Sequence, residues 1–193
     1  MTDPSYDRAY FDNLYASDPD PWRFRSSDYE RAKYAETISI ISDRRYRNGL
    51  EVGCSIGILS TCLAPLCDSF LGLDISEHPL KEARANCAAI PATRFECMRV
   101  PDQWPAGQFD LIVLSEVLYF LPASEIDALA ACVLKCLAPG GRVILVNWLG
   151  ADELPQPGDL AAERFLSAAP LFIAAQRRHA LYRIDLIEND QAR

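Results

Sequence analysis

"LEVGCSIGILS", residues 50–60, is the stretch on which the reading of this chain turns. Its inner five residues, Gly53-Cys54-Ser55-Ile56-Gly57, spell G-x-S-x-G, the turn on which serine hydrolases carry their nucleophile. The same residues also make a glycine-bearing turn between a strand and a helix, the device by which α/β proteins grip a nucleotide-like cofactor. Each reading demands different partners, so the surrounding sequence weighs them.

A hydrolase needs a base histidine, an acid to orient it and oxyanion donors from an upstream loop. The chain has two histidines, His78 and His179. His179 follows Ser55 in the required order, with Asp152 or Asp159 as the acid. Leu50-Glu51-Val52 reads as the first strand, however, and no glycine-rich loop precedes it to supply the oxyanion donors. The cofactor reading asks for an acidic residue closing the next strand, about 20 residues on, to hold ribose hydroxyls. "LGLD" ends on Asp74, 23 residues after Glu51. A dinucleotide wants a middle glycine where its pyrophosphate approaches the backbone, and Ser55 stands there instead. A cofactor with ribose and adenine but no phosphate fits the turn better. S-adenosylmethionine is such a molecule, and Glu51 adds negative charge near its ammonium and sulfonium.

Outward from this turn, strand and helix patterns alternate. Ile58–Leu66 reads as a short helix stopped near Pro65, Ser69–Ile75 as a strand, and Ser76 as the cap of a helix reaching Cys87. A strand follows near Arg94–Met98. Phe109–Ser115, "FDLIVLS", is nearly continuous in apolar residues, the mark of burial on both faces. A helix from about Ser124 to Leu137 is ended by Pro139-Gly140-Gly141, and "RVILVNW" forms the next strand. After a helix around Leu160–Ala168, the strands near Phe172–Gln176 and Tyr182–Glu188 read as a closing antiparallel hairpin. Before the turn, an irregular aromatic segment with Asp-Pro repeats leads into a helix whose capping box is Ser27 with Glu30, and Tyr34, Ile38 and Ile41 recur at helical spacing. The pattern predicts an α/β fold: a doubly wound, mostly parallel seven-stranded sheet with helices on both faces and a C-terminal antiparallel hairpin.

Bulk properties narrow the function classes. The 193 residues, 50% of them hydrophobic, are expected to form one domain, 1–193, with 1–42 as an N-terminal lid and helix. A net charge of −8 repels a phosphate polymer. Arg44-Arg45-Tyr46-Arg47 and Arg177-Arg178, the basic clusters, read as solvated ends rather than a nucleic-acid site. Seven cysteines without a C-x-x-C pair point to reduced thiols and a cytoplasmic protein. No targeting segment or membrane span is read, and no metal-ligand spacing. The oligomeric state stays open.

"LEVGCSIG", "LGLDIS", "FDLIVLSEVLYFL" and "LAPGGRVILVNW", in this order and spacing, resemble class I S-adenosylmethionine-dependent methyltransferases. More narrowly, "DPDPWRF", "YERAKY", "GCSIGILS" and "PDQWPAGQFDLIVLSEVLYFL" resemble the NodS-type N-methyltransferases, which methylate an amino group on a chitin-like oligosaccharide in nodulation-signal synthesis. The resemblance implies that Glu51, Gly53, Cys54, Ser55 and Gly57 hold the methionine end of the cofactor. It implies that Asp74 takes both ribose hydroxyls, that Ile75 lies against adenine, and that Ser115 and Glu116 flank the sulfonium and substrate. Trp22, Tyr29 and Lys33 would close the pocket, Lys33 as partner of the cofactor carboxylate.

The chain also departs from the pattern. Met98 and Arg99 stand where many class I members have an acidic residue for the adenine amine, so adenine would be read through backbone groups and apolar packing. Gly158-Asp159 is followed by Leu160-Ala161-Ala162, without the histidine that NodS-like sequences tend to carry. The implied reaction is methylation of a small-molecule acceptor, an amino sugar or other amine, with Glu116 attracting the ammonium and taking its proton and Tyr119 orienting the acceptor. Two alternatives stand beside it: a serine hydrolase on Ser55, and a cofactor-binding module that transfers nothing.

Overall fold

The computed structural model describes residues 6–150 and 154–189. Fifteen elements follow the expected alternation. They include α1 (Arg8–Ser17), α2 (Asp28–Ile41), β1 (Tyr46–Val52), α3 (Ser60–Leu63), β2 (Cys67–Asp74), α4 (Glu77–Asn86) and β3 (Thr93–Cys97). The remainder include β4 (Phe109–Ser115), α5 (Ala123–Cys136), β5 (Leu137–Trp148), α6 (Gly158–Ala168), β6 (Phe172–Arg178) and β7 (Tyr182–Glu188). Single 3-10 turns at Ala64–Leu66 and Leu118–Phe120 complete the series. The strands form one seven-stranded sheet in the order β3-β2-β1-β4-β5-β7-β6. β1, β2 and β3 pair in parallel, as do β4 and β5, while β7 runs antiparallel to both β5 and β6. The sheet expected from the sequence is the sheet observed, and its reversed strand, β7, is inserted between β5 and β6.

The described residues fall into two compact units, 6–99 and 100–189. In the first, Leu50 faces Leu71 and Val52 faces Leu73, so β1 and β2 end level, and Asp74 lies opposite Cys97 of β3. Behind this end, α4 packs through Leu80, Ala83 and its C-cap Cys87 on Cys54 and Phe95. In the second, β4 and β5 bury Leu111–Ser115 and Val143–Asn147 without a break, as strands covered on both faces do.

Two local expectations are corrected. The aromatic segment after residue 7 is not irregular: Arg8–Ser17 is a helix, started by the Asp7 carboxylate accepting from the Tyr10 N–H. Pro139-Gly140-Gly141 is not a loop between elements. α5 does stop at Cys136, but Leu137 already pairs with Phe109, and the register shifts between Phe109 and Leu111, so the glycines form an irregularity inside β5. Gly140, at φ +69°, donates to the Asn189 carbonyl, and Asn189 donates back to Gly141. Among the described residues, no helix is long and apolar enough to cross a membrane. Asp152, an acid considered for the hydrolase reading, lies outside the described residues.

Candidate functional site

Past Val52 the chain reverses through three left-handed residues, Gly53 (φ +78°), Ser55 (φ +49°) and Gly57 (φ +75°). The Gly53 and Cys54 N–H groups both donate to the Leu73 carbonyl, at 2.8 and 2.9 Å, which pins the turn to the end of β2. Ser55 donates its N–H to Asp74 Oδ2 at 2.9 Å, while Asp74 Oδ1 accepts the Ser76 N–H at 2.9 Å. A serine in this backbone region stores roughly 1–3 kcal/mol of strain, and such positions persist where surrounding bonds fix them. Here the second tie is the 2.6 Å bond between Ser55 Oγ and the Tyr15 hydroxyl.

These bonds assign different work to residues that the sequence grouped together. Gly57 is a packing glycine: a Cβ there would lie 2.9 Å from both Cα and Cβ of Ala83 on α4. Cys54 turns its side chain into the cluster of Leu80, Ala83, Cys87 and Phe95, leaving its backbone to the turn. Ser55, the nucleophile of the hydrolase reading, is bonded to a phenol and a carboxylate rather than to an imidazole. Burial and the nearby Asp74 charge raise the Tyr15 pKa well above its ordinary value, so Tyr15 is no substitute base.

Two carboxylates lie under this turn. Asp74 is 7% exposed, and burial raises its pKa to about 6 against the opposing bonds from backbone N–H groups. Glu51, 1% exposed, is pushed up to about 7, chiefly by burial and further by Asp74, although Ser60 Oγ donates to it. Buried carboxylates whose ionisation is disfavoured in this way are poised to receive a cationic ligand. Met98 donates its N–H to the Asp74 carbonyl at 2.9 Å, and Ile75, Met98 and Arg99 are half-buried beside it.

The helix that the sequence did not show covers the ends of all three strands of this unit. Arg8 donates to Cys97 Sγ (2.9 Å), Asp12 accepts from Ser76 Oγ (2.5 Å), and Tyr15 meets Ser55 Oγ. The three side chains are four and three residues apart, so they share one face of α1. Tyr15 also meets the Trp22 ring edge-on at 5.6 Å, and Trp22 stacks on Phe24. In α2 the Ser27 hydroxyl accepts the Glu30 N–H as the capping box predicts, but the Glu30 side chain turns inward to Lys33. Lys33, 1% exposed, lies 2.9 Å from Glu30 and 5.1 Å above the Tyr29 ring. Its proposed carboxylate partner is therefore preceded by one from its own helix.

In the second unit, Ser115 is buried at the end of β4, and Glu116 beyond it has φ +60°. The Glu116 N–H donates to the Val146 carbonyl at 2.8 Å, and its Oε2 accepts both the Tyr119 hydroxyl (2.7 Å) and the Trp148 N–H (2.8 Å). Both acceptor-side residues named from the sequence are thus joined to each other and to the end of β5. Three participants were missed: Trp148, Gly158 and Asn147. A Cβ on Gly158 would lie 1.9 Å from the Trp148 carbonyl oxygen, so only glycine permits α6 to approach there. Asn147 is fully buried with neither amide atom hydrogen-bonded. Each such atom costs roughly 1–3 kcal/mol. A polar residue inside "RVILVNW" was the available signal. Asp159 pairs with Arg178 and with Arg183, and these bonds lower its pKa.

Comparison with known proteins places this geometry in a family. The family model for nodulation protein S matches residues 11–151. Nodulation protein S of Bradyrhizobium diazoefficiens is 31% identical over 139 residues, covering 71% of this chain and 66% of that protein, so the chain spans just under two thirds of that relative's length. A crystal structure of a putative methyltransferase from Pseudomonas syringae is 33% identical, with a TM-score of 0.74 over 83% of this chain and 98% of that one. The N-methyltransferase NodS from Bradyrhizobium japonicum, crystallised with S-adenosyl-L-homocysteine, superimposes with a TM-score of 0.84 at 22% identity over 95% of this chain and 98% of that one. With the matched model spanning most of its length, the chain belongs to the NodS family of class I methyltransferase fold.

Proposed function

We propose that this protein transfers a methyl group from S-adenosylmethionine to an amine on a small acceptor of the amino-sugar class. The observation that carries the reading is the Asp74 carboxylate, closing β2 and held 2.9 Å from the backbone of the left-handed turn that follows β1. The donor set suits the cofactor: a carboxylate for two vicinal hydroxyls, a glycine-bearing turn beside it, and a buried acid in Glu51 for cationic groups. When bound, S-adenosylmethionine supplies an electrophilic methyl on a sulfonium. In this reading Asp74 holds the ribose hydroxyls while the backbone of residues 53–57 and Glu51 hold the methionine end. Ile75, Met98 and Arg99 border the adenine, and α1, Trp22, Tyr29 and Lys33 close over the nucleoside as a lid.

The chain's remaining task is to present a neutral amine in line and exclude water, and well-held geometry of this kind supplies up to roughly 7–11 kcal/mol of a reaction barrier. Glu116 takes the acceptor's proton and Tyr119 orients it, with Ser115 beside them. The bonds from Tyr119 and the Trp148 N–H fix the Glu116 carboxylate, which supports an attracting and orienting role at least as well as that of a free base. The B. japonicum relative is described as an N-methyltransferase, which favours nitrogen over oxygen here.

The test is incubation with methyl-labelled S-adenosylmethionine and a panel of chitooligosaccharides, acetylated and de-N-acetylated, beside simple amines and phenols. Label is expected in the de-N-acetylated oligosaccharides. Label only in phenols would move the acceptor to oxygen. Binding of S-adenosylhomocysteine with no transfer to any member would leave a binding module.

A further inference from the structure

The second unit holds a buried polar group outside the proposed cofactor and acceptor contacts. Asn147 is the penultimate residue of β5 and fully buried, and both Nδ2 and Oδ1 lack a hydrogen-bond partner. Buried amides of native proteins are nearly always paired, so an unpaired one calls for a physical reason. Polar neighbours are not scarce. Arg183, its direct partner across β5 and β7, makes two bonds to Asp185, and Asp185 also accepts from Gln176. Asp159 accepts from Arg183 and Arg178. That network is closed on itself, and Asn147 stands outside it.

Its position is more informative than its surroundings. The residues on either side of Asn147 both bind Glu116: the Val146 carbonyl accepts the Glu116 N–H, and the Trp148 N–H donates to the Glu116 carboxylate. Asn147 is therefore fixed to the same strand end as the proposed acceptor-handling carboxylate, at the carboxyl edge where ligands bind in open α/β sheets. One turn of helix covers it. A Cβ on Gly158 would lie 3.6 Å from Asn147 Cβ, and this first turn of α6 has no side-chain cap. An apolar side chain would continue the run Val143–Val146 at no cost, so an asparagine here breaks the local packing rule at the site, as functional residues do.

We infer that Asn147 is a specificity residue for the acceptor, its amide pairing with a hydroxyl on the carbon next to the amine that is methylated. A hydroxyl both donates and accepts, so it satisfies Oδ1 and Nδ2 of a side-chain amide in a way that an ammonium or an ether does not. Because the first turn of α6 covers the amide, the inference requires that turn to move as the acceptor enters. The inference rests on the methyltransferase reading and narrows its substrate class to vicinal amino alcohols.

The experiment compares two acceptors with the full chain: chitotetraose de-N-acetylated at its non-reducing end, and the same tetramer lacking the hydroxyl adjacent to that amine. Wild type is expected to prefer the first by about 100-fold or more in kcat/KM, as sites built around a hydroxyl do. Asn147→Leu is expected to bring the two within about threefold, mainly through KM for the hydroxylated acceptor, while its melting shift with S-adenosylhomocysteine is retained. If the Leu variant fails to fold, Asn147→Ala is read in the same way. A variant that keeps the preference, or lowers both acceptors equally, makes Asn147 merely structural and overturns the inference. Equal use of the two acceptors by wild type does the same while leaving the methyltransferase reading intact. Transfer to neither removes both.

Discussion

Asp74 and Glu51 are carboxylates that folding makes harder to ionise, with pKa values of about 6 and about 7 against ordinary values of 3.8 and 4.5. In the interval between these values the folded chain binds more protons than the unfolded one, so stability is greatest at its acid end and falls as pH rises through the folded pKa values. For Glu51 alone the loss is on the order of 3 kcal/mol once pH has passed about 7. A cationic ligand reverses the sign, because it favours the ionised pair. The expected result is that the unliganded melting temperature falls between pH 5.5 and 8 while the increment given by S-adenosylmethionine grows, and that Glu51→Gln reduces both slopes; melting curves at the two pH values measure it. These two acids were legible in the sequence because strand pattern alone places a residue at a strand end. Tyr15 was not, since a hydroxyl bond across 40 positions leaves no periodic trace, and Asn147 showed only as a polar break in the apolar run "RVILVNW".

Elements owe their placement here to backbone approach as much as to apolar pattern. α6 can reach the end of β5 only because residue 158 has no side chain. Gly158→Ala is expected to destabilise the fold by about 1–3 kcal/mol and lower the melting temperature by roughly 2–12 °C in a thermal scan, as overpacking does. The strands and the later helices were legible because β4 and β5 are continuous apolar runs and α5 shows a helical stripe of Ile126, Leu129, Ala130 and Val133. α1 was not. Its buried residues are only Phe11 and Tyr15, and its other ties are polar, through Arg8 and Asp12, so a search for apolar periodicity finds little there. α2 shows the same effect within a helix that was recognised: Glu30, Lys33 and Thr37 are buried alongside Tyr34 and Ile41, a partly polar stripe that resembles a solvated face when read as sequence.

For the molecule as a whole, seven strands with one reversed near the C-terminus follow from alternation and from the closing hairpin, and the observed order agrees. Chemistry was less legible than architecture. The G-x-S-x-G spelling fits two reactions, and it is the bonds of Ser55, to Tyr15 and to Asp74, that remove the hydrolase geometry. On the acceptor side the structure offers an ion-paired Asp159 and an unpaired Asn147. What the whole account requires is that the adenosyl group of the cofactor be gripped by the turn after β1 and the carboxylate after β2. Calorimetric titration of S-adenosylhomocysteine into the wild-type chain and into Asp74→Ala tests this most directly. The account predicts one molecule bound per wild-type chain and an affinity about 100-fold or more weaker in the folded variant, the worth of two hydrogen bonds to a charged group. No binding to wild type, or equal affinity in the two, would contradict it.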